Sequence, residues 1–216
     1  MRHLLLLSLF LGFAACGDSN NKTVDAAPPV DMMAAALSCD TYCSTITAAC
    51  TGANAQFGGI SADDAKAHCL GTCGKFPTST AQTGDTLGCH MYHATNAMTM
   101  DPTVHCIHAG PAGNQIGMPG VCGDTCTNFC TLVQGVCGVK GTDANGQYTD
   151  MTDCMNACAN FATTATYTVN TTTFPSMNPT GNTLACRLYH ATNAAVSASA
   201  AGTHCPHTAV VSAVCK

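Results

Sequence analysis

Sixteen of the seventeen cysteines fall into two matched sets of eight, and that repetition constrains the fold more than any other feature. Cys39, Cys43 and Cys50 return as Cys126, Cys130 and Cys137 at an offset of 87 residues. Cys69 and Cys73 return as Cys154 and Cys158 at 85, Cys89 as Cys186 at 97, Cys106 as Cys205 at 99, and Cys122 as Cys215 at 93. The offset is constant inside each block and changes only between blocks. Tandem duplication leaves this pattern when connecting loops drift in length and packed elements do not. An even set of sixteen implies eight disulfides and an oxidising compartment. Each unit has few large apolar side chains, so its core is thin and cross-links must supply much of the stability.

The chain's start is consistent with export. Arg2 and His3 precede the apolar run Leu4 to Phe13, which ends in Ala14-Ala15-Cys16 and is followed by polar Gly17-Asp18-Ser19. The run is too short to span a bilayer and has the length of a signal-peptide core. The small residues before Cys16 resemble the lipobox of bacterial lipoproteins, with Phe13 where that family usually carries Leu. The resemblance implies a signal peptide over 1–15, acylation of Cys16 and an anchor in the cell envelope. Gly17 after the cysteine points to the outer membrane. Residues 16–37, with Pro28-Pro29 and no periodicity, read as a flexible tether. The units then occupy 38–122 and 123–216. Charged residues are only 9% of the chain, the acids are all Asp, and no basic run occurs, which argues against a nucleic-acid partner.

Within each unit the spacing is helical. Cys39, Cys43, Ile46 and Cys50 form one stripe of a helix, and Cys126, Cys130, Val133 and Cys137 repeat it. Cys69 with Cys73, and Cys154 with Cys158, lie on second helices, begun by Ser61 in the first unit and by Thr149 or Asp150 in the other. The two helices of a unit resemble the twin Cys-x-x-x-Cys helical hairpin. That resemblance implies the pairs Cys39–Cys73, Cys43–Cys69, Cys126–Cys158 and Cys130–Cys154. Cys50, Cys89, Cys106 and Cys122 keep three possible connectivities, as do Cys137, Cys186, Cys205 and Cys215. A bridge from Cys106 to Cys89, or from Cys205 to Cys186, would bring a histidine-bearing turn against the third helix. The expected fold is mainly α: two tandem disulfide-stapled helical-hairpin modules with long loops. In the loop before the second unit's third helix, 167–174 has strand-like composition and predicts a short hairpin.

The third block, Thr-Leu-x-Cys-x-x-Tyr-His-Ala-Thr-Asn-Ala, occurs at Thr86 to Ala97 and again at Thr183 to Ala194. Asp85 and Asn182 are its expected N-caps. It places His93 and His190 one turn after a cysteine. A second block then supplies His105 and His108, or His204 and His207. Asp101-Pro102 predicts a helix start in the first unit, whereas Pro206 restricts the second to a turn. Three imidazoles per unit can bind Zn or Cu, or supply axial ligands to haem. The same groups also serve as hydrogen-bonding side chains in a cystine-rich core. His90 and His68, without histidine partners in the second unit, read as surface residues, and Met98 and Met100 as filler.

Several chemistries are excluded. A His-Glu-x-x-His site is impossible without Glu, and no Cys-x-x-Cys-His, Gly-x-Ser-x-Gly or phosphate-binding loop occurs. The reading is a non-enzymatic envelope module with a binding or structural role. The alternative is metal or haem binding through His93, His105 and His108 and through His190, His204 and His207. An enzyme using such a metal has no identifiable base or nucleophile beside it.

Overall fold

A computed structural model describes residues 37–58, 62–169 and 180–216. The expected signal peptide, Cys16, the expected tether up to residue 36, the expected Ser61 start and most of the expected 167–174 hairpin lie outside these residues. Tyr167 to Val169, which are described, have no regular structure.

Helices and eight disulfides make up the fold, and among the described residues pairing is limited to isolated β-bridges. In the first unit the helices are α1 (Cys39–Ala49), α2 (Ala62–Cys73), α3 (Leu87–Thr99) and α4 (Pro102–Ala109). In the second they are α5 (Thr125–Cys137), α6 (Met151–Cys158), α7 (Leu184–Ala194) and α8 (Ala198–His204), followed by a 3-10 turn at Cys205–Thr208. Side-chain oxygens begin most of them. Ser38, Asp124, Asp150 and Ser197 each accept from a backbone amide in the first turn of α1, α5, α6 and α8. Each such cap contributes about 1 kcal/mol. Gly138, at φ +76°, ends α5 in the left-handed region. The caps of α3 and α7 are Thr86 and Thr183, not Asp85 and Asn182: these hydroxyls accept from the amides of Cys89 and Cys186 at 3.2 and 3.1 Å. The Asp85 carboxylate instead faces His90.

Disulfides join α1 to α2 through Cys39–Cys73 and Cys43–Cys69, and α5 to α6 through Cys126–Cys158 and Cys130–Cys154. The remaining bonds are Cys50–Cys106, Cys89–Cys122, Cys137–Cys205 and Cys186–Cys215. The bridges Cys89–Cys106 and Cys186–Cys205 are therefore corrected. A helix turns about 100° per residue, so with His105 and His108 facing α3, Cys106 points about 130° away from them. That direction reaches Cys50 at the end of α1.

Each unit has an aromatic centre, built with the hydroxyl on a different ring. In the first, Tyr42 meets Phe57 and Phe76 edge-on, and its hydroxyl donates to the Ala109 carbonyl at 2.6 Å. In the second, Phe129 takes the place of Tyr42, and Tyr148 donates to the Thr208 carbonyl at 2.6 Å. Ala109 and Thr208 are equivalent, each following the last histidine of its unit. Ala109 O also receives the His90 ring at 3.1 Å. Tyr148→Phe should therefore cost about 1–3 kcal/mol by stranding a buried acceptor, and Tyr42→Phe less. Urea-unfolding midpoints of the two variants check the order.

His90 is fully buried, correcting its assignment to the surface. It stacks on Phe76 at 4.1 Å, and its two nitrogens face Ala109 O and Asp85 Oδ1. Arg187 does the same work in the second unit. Also fully buried, it lies 3.8 Å over Phe161 and donates to the carbonyls of Thr183, Ala209, Val210 and Cys215. The physical reason is that every position of α7, and the whole first turn of α3 from Leu87 to His90, is buried, which leaves no surface side for these positions. His68 is half-buried, while Met98 and Met100 are exposed.

Candidate metal centre

The site grows from the packing of α4 on α3. The Thr86 cap sets the start of α3, and His93 follows Cys89 by one turn, only 8% exposed. Asp101 caps α4 with Pro102 at its first position, and this start places His105 and His108 one turn apart on the same side. The Cys50–Cys106 bond holds that turn from behind. His93 Nδ1 and His105 Nδ1 then stand 3.0 Å apart, and His108 Nδ1 is buried without a hydrogen-bond partner. One ligand atom from each of the three rings lies within 4.8 Å of the others.

The second unit reaches the same arrangement by a different backbone. His204 ends α8, and Pro206 forces a 3-10 turn that delivers His207. His190 Nδ1 is 3.0 Å from His204 Nδ1 and 3.3 Å from His207 Nδ1. The ring planes make angles of 29°, 81° and 89° in the first triad and 27°, 76° and 87° in the second.

The Nδ1 separations, 3.0 Å in the first triad and 3.0 and 3.3 Å in the second, are close to those of a coordination sphere. With Zn–N bonds of about 2.0–2.1 Å, tetrahedral ligand nitrogens stand roughly 3.3–3.4 Å apart. A proton on one Nδ1 can serve only one neighbour well, so three rings aimed at one point are poorly satisfied by hydrogen bonds among themselves. The protein also favours the neutral, ligating form. His190 is held down at about 3, first by burial and then by His207 and His204. Burial and His105 lower His108. Burial lowers His204 and His207 as well.

A second layer supports the first triad. Asn114 hydrogen-bonds the His108 side chain. Sequence reasoning missed Asn114, which sits in an irregular loop with no periodic signal. Cys89 and Cys122 sulfurs, like those of Cys186 and Cys215, also lie within ligand range of a triad histidine. They are bonded to each other and offer no thiolate.

In metal-free protein His190 should stay neutral down to about pH 4. Its folded value lies below its ordinary 6.5, so below that pH the unfolded chain binds more protons. The sign is therefore a loss of stability as pH falls from 6.5 toward 3. Imidazole ¹⁵N chemical shifts check this, and a His190 midpoint above about pH 6 would contradict it.

No curated protein and no solved structure matches the chain. The model of the BfoA family C-terminal domain matches residues 14–128, a stretch that includes His93, His105 and His108 but not the second triad. That match covers more than half of the sequence, and the chain belongs to the BfoA family.

Proposed function

We propose that this is an exported, lipid-anchored envelope protein that binds one borderline transition-metal ion, Zn or Cu, in each unit. The supporting observation is the gathering of three imidazoles per unit, with ligand nitrogens within 4.8 Å of one another and an Nδ1 pair at 3.0 Å in each, produced twice by different backbones. Imidazole-only ligation suits Zn and Cu and disfavours hard cations, which seek carboxylates. Haem fits less well: its axial ligands stand on opposite faces of a flat ring, whereas these nitrogens crowd together on one side. His105 and His108 are half-buried, as are His204 and His207, so each site lies close to solvent. The lipobox-like Ala14-Ala15-Cys16 and the density of cystines support an oxidising envelope location.

The test is metal titration of oxidised, chelator-treated full-length protein. Uptake of about two Zn or Co ions per chain is the expected result. Uptake below about one ion per two chains, with no spectral change on adding Cu(II), would instead favour packed structural histidines.

A further inference from the structure

A cleft of about 200 Å³ lies between the two units. Its walls include Gln56, Ile107, Gln115 and Ile116 of the first unit, and Thr166 and Tyr167 of the second. Tyr167 donates its hydroxyl to the Gln56 carbonyl oxygen at 3.2 Å, which fixes one wall to the other. Gln56 is buried and anchored in turn, its side-chain amide donating to the Asn54 carbonyl at 3.0 Å. None of the triad histidines lines the cleft, so a ligand there needs no metal.

No described side chain in the lining carries a charge. An ion would therefore leave water with no opposite charge to meet it. The polar groups are amides and hydroxyls, which donate as well as accept. Among the described residues, the Gln115 amide and the Thr166 hydroxyl have no hydrogen-bond partner, and both residues are exposed at the rim. Ile107 and Ile116 add aliphatic surface. A sugar ring carries the same pairing: hydroxyls that donate and accept, on C–H faces that pack against aliphatic side chains. Pockets that enclose a drug-sized ligand hold roughly 300–1,000 Å³, so this smaller cleft accepts about one ring.

We propose that the cleft between the units binds a single neutral sugar ring, with the Gln115 amide and the Thr166 hydroxyl taking its hydroxyls and Ile107 and Ile116 facing its C–H surface. Because the walls come from different units, an occupied cleft also ties one unit to the other. Binding here is independent of metal at either triad.

The test is NMR titration of ¹⁵N-labelled, oxidised, chelator-treated full-length protein with methyl glucoside, N-acetylglucosamine and glucuronate. A neutral sugar should produce saturable shifts in the side-chain amide signals of Gln56 and Gln115. Glucuronate, of similar shape but charged, should bind at least about 10-fold more weakly. Gln115 is exposed, so Gln115→Trp fills the mouth of the cleft without entering the core. It should weaken the neutral sugar at least about 10-fold at an unchanged melting temperature. Absence of saturable shifts with both neutral sugars, equal binding of glucuronate, or binding undisturbed by Gln115→Trp would overturn the proposal. Each outcome is read without metal, so it leaves the metal titration above to stand or fall by itself.

Discussion

Replacing His93 by alanine should halve the metal capacity of the chain, and replacing His93 and His190 together should abolish it. Each of these histidines is the member of its triad that rises from the longer, buried helix and directly faces another ring nitrogen at 3.0 Å. Two imidazoles remain after the change, but the coordination sphere loses the ligand held most rigidly. Loss of an outer-shell partner already costs about 10–100-fold in affinity, so loss of a ligand should exceed about 100-fold. Alanine is tolerated by the helix, so the fold survives in the oxidised protein. The same variants report on stability. An ion at 100 times its Kd stabilises the folded state by about 2.7 kcal/mol, and that increment should disappear site by site. Isothermal titration gives the capacity and metal-dependent melting gives the increment. Undiminished capacity in the double variant would place the metal elsewhere.

The second large effect is expected from removing the Cys50–Cys106 bond as the paired change Cys50→Ala with Cys106→Ala. The bond spans 56 residues of sequence, a separation for which chain entropy predicts roughly 4 kcal/mol. Other cross-links already shorten that loop, so about 2–4 kcal/mol is the expected loss. Both cysteines are almost completely buried, and Cys106 lies between His105 and His108 in α4. Freeing α4 should therefore loosen the first triad and weaken its metal by about 10-fold or more, while the second site is unchanged. Removing Cys137–Cys205 should do the converse. Denaturant unfolding and single-site titration together check the pair. Equal weakening at both sites would show that the bond supports the whole fold and not its own triad.

The mainly helical fold was readable because cysteine and apolar positions recur at helical spacing in two copies. Cysteines one turn apart advertise a hairpin. Cys50, Cys89, Cys106 and Cys122 carry no such spacing, because their partners lie across loops and their pairing depends on how each helix is rotated. His90 and Arg187 were hidden by their different chemistry. A planar group over a phenyl ring serves either way, but imidazole and guanidinium do not look alike in a sequence. The burial that decides their place, at every position of α7 and at eight of the thirteen in α3, is seen only in the structure. Residues His93 to His108 and His190 to His207 stood out because they repeat, yet repetition alone did not distinguish ligands from packed histidines.

The sequence by itself determined the repeat, the helical hairpins and the six repeated histidines, because these depend on residue type and local period. Only the tertiary structure decided how closely the three histidines of each unit approach one another and which cysteines close behind them. Those outcomes depend on the angle and rotation at which separate helices pack, and local spacing carries no information about either.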